Sequence, residues 1–240
     1  MPSPTRWNLS RIRRRHAGYR NLLAAELLIL ALQPVCFHWP LLNPLLAILL
    51  AALILATLTR FSMLRSSRQR ATALGVTAIV LELAWIVLAR LSVTMPLWIN
   101  LLHLAVWLLY LGSTVLRMIR NLIQEPYVTI SVVMGAASGY LLIGYSGGLL
   151  LYSLWLLNPA SFTLLIGASG SDTSALTLLS SFPSMMLGAF GFLTTAGTSL
   201  IQTRSLAAEA ATTLITVTGQ LYVAILIALV LSRYHRRHFF

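Results

Sequence analysis

Charge is what this 240-residue chain has least of. Only 9% of its residues are charged, five are acidic, and lysine is absent, so all 17 basic residues are arginine. A soluble domain of this size needs far more polar surface. With 58% hydrophobic residues and a mean hydropathy of +0.83, the chain reads as an integral membrane protein surrounded by lipid. The net charge of +12 is clustered at segment ends and is not spread over a face interleaved with aromatics, which argues against a nucleic-acid partner. The single cysteine, Cys36, allows no intrachain disulfide, and no Cys or His cluster points to a metal site or a cofactor. A basic N-terminus followed by an apolar run can be a signal peptide. Here a second apolar run comes at once with no small-residue cleavage site between them, so residues 1–20 are expected to be a basic cytoplasmic tail near anionic lipid.

A membrane helix needs about 20 apolar residues. Six such runs are expected, at 21–38, 41–59, 72–92, 96–117, 127–157 and 206–232. A shorter apolar stretch, 176–193, contains Pro183 with several Gly and Ser and cannot both cross the bilayer and leave room for the chain that leads into the last run. It reads as a re-entrant helix, a form tolerated at membrane depth only inside protein or beside water. The expected fold is therefore an all-α membrane protein: a basic tail at 1–20, a four-helix domain at 21–120, a helix–loop–helix domain at 127–232, and a second basic tail at 233–240. Placing the N-terminus in the cytoplasm puts 15 of the 17 arginines inside, with only Arg90 and Arg204 outside. Six spans return the C-terminus to the same side. The fifth run is rich in glycine, with Gly135, Gly139, Gly144 and Gly148 in two Gly-x-x-x-Gly pairs, a pattern that lets helix backbones approach closely.

Ionisable groups inside spans are costly and are candidates for function. Glu82 and His103, in the third and fourth runs, are placed to pair across their helices, either as a proton-linked site or as a structural hydrogen bond. Glu26 is close enough to the inner interface to pair with Arg20 or to snorkel. The fourth run has no arginine at every third position, only Arg117 and Arg120 at its end, so steep voltage sensing is not expected. Ser and Thr are abundant, but no His or Asp lies at credible reach, and Asp172 stands alone in the 167–174 loop. No enzymatic activity is expected, and a transporter's paired broken helices are missing, since one broken segment is found.

The stretch Thr194-Thr195-Ala196-Gly197-Thr198-Ser199 comes after the short apolar segment and precedes a last run containing Thr218-Gly219-Gln220-Leu221-Tyr222. With Tyr140-Leu-Leu-Ile-Gly144 and Pro159-Ala-Ser-Phe162 before it, this arrangement resembles the bacterial two-helix pore-domain ion channels, over residues 127–232. The resemblance implies a homotetramer in the inner (cytoplasmic) membrane. Residues 194–199 would be its ion-binding filter, with K+ or Na+ as the permeant ion and no other cofactor. The helix before the filter, with Pro183 in its first turn, would aim its negative dipole end at a cation. Extended-strand carbonyls beyond it would replace the ion's water shell. Gly219 would be an inner-helix hinge or a close-packing site. Thr216 and Gln220 would line the cavity or bond a neighbouring helix.

The family's filter reads Thr-Thr-x-Gly-Tyr-Gly-Asp. Thr194, Thr195 and Gly197 match it, whereas Thr198, Ser199 and Leu200 replace the family's Tyr, Gly and Asp. A serine with positive φ at 199 would cost about 1–2 kcal/mol, so a different backbone path is expected there. Leu200 removes an anionic outer mouth and Arg204 adds a positive charge, which Glu209 can offset. The expected function is a weakly selective cation pore. The alternatives are a channel-like subunit that no longer conducts and regulates a partner channel, or a small transporter.

Overall fold

The computed structural model describes residues 6–39, 41–61, 65–90, 96–124, 130–165 and 175–238. The 167–174 loop with Asp172, and the ends of the expected third and fifth runs at 91–92 and 127–129, lie outside them. Among the described residues, seven α-helices are present: α1 (Arg6–His38), α2 (Leu42–Phe61), α3 (Arg65–Arg90), α4 (Leu97–Gln124), α5 (Ile130–Leu157), α6 (Ala175–Leu193) and α7 (Leu206–His238). Two short strands, β1 (Phe162–Leu164) and β2 (Ile201–Thr203), pair antiparallel in the register Phe162↔Thr203, Thr163↔Gln202 and Leu164↔Ile201. A 3-10 turn, Pro159–Ser161, leads into β1 and is capped by Asn158, whose Oδ1 accepts from Ala160 N at 3.2 Å.

Five helices carry segments long and apolar enough to cross a membrane: Gly18–His38, Ala71–Leu88, Leu97–Ile123, Val132–Leu157 and Leu206–Leu229. The apolar stretches Leu42–Thr57 of α2 and Ser181–Leu193 of α6 are shorter. Helix α1 begins at Arg6, so the basic N-terminal stretch from there on is helical and continuous with the first apolar run. Arginine and leucine are both good helix formers, and nothing between them breaks the helix. Pro183 lies in the interior of α6, because the helix starts upstream at Ala175. The proline withholds one intrahelical hydrogen bond there.

Helix α5 is the hub and packs against α1, α4, α6 and α7. Half of its span is buried (50%), against 22% for α7, so α5 lies at the centre and α7 at the edge. Helix α1 faces this hub with a stripe of Leu22, Glu26, Ile29, Gln33 and Cys36, all buried and spaced at alternating intervals of a helical face. Tyrosine hydroxyls tie the helices together. Tyr110 donates to Ala51 O (3.0 Å), Tyr145 to Glu26 O (2.6 Å) and Tyr222 to Ala136 O (2.8 Å). Each uses the second lone pair of a helical carbonyl. In a bilayer such interhelical bonds are worth about 0.6 kcal/mol on average.

The glycine face of α5 makes these approaches possible. A Cβ on Gly148 would lie 2.5 Å from the Met186 sulfur and 3.0 Å from its Cα on α6. Gly144 and Gly139 receive Phe190 and the Tyr222 hydroxyl in the same way. Gly148→Ala is expected to lower the thermal unfolding midpoint in detergent, through an overpacking penalty of about 1–3 kcal/mol. Gly112→Ala, where an added methyl meets nothing within 4 Å, leaves the midpoint unchanged or higher.

Candidate functional site

Residues 194–199 form one continuous loop on the end of α6, between that helix and β2. A helix ends with carbonyl oxygens that have no partner within it. At the end of α6 every one of the last four is taken. Phe190 O accepts from Thr194 N (3.0 Å) and Thr194 Oγ1 (2.8 Å), and Gly191 O from Gly197 N (3.1 Å). Phe192 O accepts from Thr195 N (3.1 Å) and Thr216 Oγ1 (3.0 Å), and Leu193 O from the Tyr140 hydroxyl (3.1 Å). The loop therefore folds back on the last turn of α6, and that turn is tied to α5 by Tyr140 and to α7 by Thr216.

Two glycines allow this close fit. A Cβ on Gly191 would stand 2.5 Å from Gly197 O, and one on Gly219 would stand 2.8 Å from Leu193 O. Gly219 is thus a close-packing position of α7 against the end of α6. Thr216 spends its hydroxyl on α6, sharing it with Thr212 O (3.0 Å), while Gln220 is exposed on α7.

The backbone has positive φ at Thr195 (59°) and Gly197 (75°), two residues apart, and not at Ser199. A positive φ at Ser199 is expected to be avoided for its cost, and Ser199 does not take one. The left-handed conformation falls on Thr195, a β-branched residue for which it costs about 1–2 kcal/mol. Ser199 lies in a bend, where the Thr198 hydroxyl accepts from Leu200 N (3.1 Å) and starts the turn into β2. Thr194, Thr195, Ala196, Gly197 and Ser199 are exposed and Thr198 is half-buried. Among the described residues, no donor meets the carbonyl oxygens of Thr195, Ala196, Gly197 or Thr198.

Arg204 and Glu209 sit at the β2–α7 corner. Arg204 Nε donates to Thr163 Oγ1 (2.8 Å) and its backbone N to Ser161 O (2.8 Å), while Glu209 accepts from the Thr203 hydroxyl. Among the described residues the two charges form no ion pair. The register of the strands turns Arg204 onto β1, and Glu209 closes onto β2.

A second polar cluster lies between α3 and α4. Glu82 Oε2 meets His103 Nε2 at 2.7 Å and accepts from Trp107 Nε1 at 2.8 Å. Trp85 stacks on His103 with ring centroids 6.3 Å apart and donates to Asn100 Oδ1 at 3.0 Å. The expected Glu82–His103 pair is present. Glu26 behaves differently from the expectation. It is fully buried, accepts from Ser138 Oγ at 2.8 Å, and forms no ion pair with the exposed Arg20 among the described residues. Its place on the inward stripe of α1 aims it at α5. Sequence reasoning misses Tyr140 as a donor to α6, and Trp107, Gln33 and Asn43 as buried polar groups. The two carboxamides carry the same signal as Glu82, a polar residue inside an apolar run.

Comparison with family models, with curated proteins and with solved structures returns no match.

Tyr140→Phe and Thr216→Val each remove one donor to the end of α6 while keeping shape. Each is expected to weaken the loop by about 1 kcal/mol. Amide hydrogen exchange should speed up across 190–200 and stay unchanged in α2 and α3.

Proposed function

We propose that the chain is one subunit of a homotetrameric cation channel, with residues 194–199 as the filter strand on its axis. The observation that carries this reading is the exposed 194–197 backbone, whose carbonyl oxygens from Thr195 onward meet no described donor. A bilayer does not tolerate such backbone facing lipid, because it offers no donors there. Further copies of the chain and a file of hydrated cations supply the missing partners.

Three further features support the reading. Positive φ at alternate residues, Thr195 and Gly197, breaks the side-to-side alternation of a strand and lets successive carbonyls turn towards one axis. The C-terminal end of α6 is aimed into the loop and favours a cation beyond it. Helix α7 leaves Thr213, Thr218 and Gln220 exposed beside apolar residues, which suits a wall shared between subunits and water. In this topology α2, 20 residues and about 30 Å long, is the sixth crossing, and α6 is re-entrant from the outer face. Both termini are then cytoplasmic, in agreement with the arginine distribution. The loss of the family's Tyr, Gly and Asp at Thr198, Ser199 and Leu200 leaves coordination near Thr195 and weakens selectivity beyond it.

A second reading, a non-conducting channel-like subunit, is favoured by Leu200 and by Arg204 at the β2–α7 corner. Current across a bilayer decides between them. Reconstituted protein under opposed potassium and sodium gradients is expected to pass a cation current, with a reversal potential close to that of a weakly selective pore. Gly197→Asp, which places a side chain at positive φ and a charge on the axis, is expected to abolish it. Silence of the wild-type protein at every voltage and pH would favour the non-conducting subunit. A stoichiometry other than four by native mass measurement would remove the axial filter altogether.

A further inference from the structure

A cavity of about 100 Å³ lies where α1, α2, α3 and α4 meet α5 and α6. Its wall is mostly aliphatic and aromatic, with Trp85, Trp107, Tyr152 and Phe182 among its rings. Three carboxamides, Gln33, Asn43 and Asn100, also line it. Gln33 and Asn43 are more than nine-tenths buried, with relative exposures of 2% and 6%. Among the described residues, three of their polar atoms have no partner: Gln33 Oε1, Asn43 Oδ1 and Asn43 Nδ2. Each such atom costs about 1–3 kcal/mol when left without a hydrogen bond, and native proteins rarely leave them so. Gln33 Nε2 is already directed to Ile29 O (3.4 Å), which leaves its oxygen for the cavity.

We propose that this cavity binds a small neutral hydroxyl compound, with a short-chain alcohol as its ligand. The orphan set is two acceptors and one donor. A hydroxyl serves two of the three atoms at once, because its one O–H can donate to a carboxamide oxygen while its oxygen accepts from Asn43 Nδ2. An anion would face two carbonyl oxygens and the Glu82 carboxylate. A cation would meet the two carbonyl oxygens and Glu82, but the mostly aliphatic and aromatic wall would not compensate its lost hydration. The volume sets the size. Water occupies about 30 Å³ in the liquid, and a 150 Å³ apolar cavity holds benzene, so this one holds about three waters or one molecule of three to four heavy atoms. Water and a short alcohol share the hydroxyl. The alcohol is favoured by the wall, where the indoles of Trp85 and Trp107 and the side chains of Leu46 and Leu104 offer its carbon atoms an apolar seat. The cavity also touches Met186 on α6, so an occupant is in contact with the helix that carries the 194–199 loop, whatever that loop does.

Tryptophan fluorescence of the full chain in detergent tests this, because bromine quenches an indole it touches. Titration with 2-bromoethanol is expected to give a saturable quenching component. Bromoethane, which lacks the hydroxyl, gives only linear quenching. In Asn43→Leu and in Gln33→Met the saturable component is expected to weaken at least ten-fold or vanish, with the bromoethane response unchanged. The second variant keeps the test open should the first fail to fold. Linear quenching by 2-bromoethanol, identical in the wild type and a folded variant, would overturn the proposal and leave water as the only occupant. Saturable quenching that both folded variants retain at full strength would overturn the assignment to the two carboxamides.

Discussion

The four carbonyl oxygens at the end of α6 must each find a donor, and the architecture around them answers that need. In a medium without water, a helix that stops inside the protein must be completed by its neighbours. Thr194, Thr195 and Gly197 supply donors from the loop itself, Tyr140 from α5 and Thr216 from α7. The loop conformation, the contact of α5 with α6 and the seating of α7 are thus set by one local constraint.

Meeting that constraint requires backbones to lie very close. Gly148 and Gly144 let α6 lie against α5, Gly191 lets the loop return over the last turn, and Gly219 lets α7 reach the Leu193 carbonyl. A methyl group at several of these points would sit within 3 Å of a neighbouring atom. The glycines therefore act at least as much through the contacts they permit as through their own flexibility. With its partners satisfied on the inner side, the loop turns its remaining carbonyls outward, and the proposed axial role rests on that surplus.

The first four helices solve a different problem. They bury Glu82 and His103 against each other and against Trp107, and Glu26 against Ser138, so the polar groups of the bundle are largely paired inside it. Among the described residues, Gln33, Asn43 and the second carboxyl oxygen of Glu26 are the departures, and the two carboxamides line a common cavity beside α6. Pairing elsewhere in the bundle is what makes their unmet hydrogen bonds informative.

The helical character of the chain, its membrane class and the end of α6 at Leu193 are legible in the sequence, because long apolar runs and the Thr194–Gly197 break are local signals. So is the reach between Glu82 and His103, since two polar residues in adjacent apolar helices have few other partners. The place of Pro183 within α6 is not legible, because the apolar stretch at 176–193 does not mark where along it the helix begins. Motif spacing alone does not say which residues take positive φ: Thr195 and Gly197 do, where the loop returns over Gly191 and Phe192, and Ser199 does not. Composition and periodicity alone determined that the chain is a helical membrane protein with a broken segment before its last helix. Which donors complete that segment, which carbonyls are left over, and which buried carboxamides stay unpaired were decided only by the tertiary structure, because each depends on atoms brought together from helices far apart in the chain.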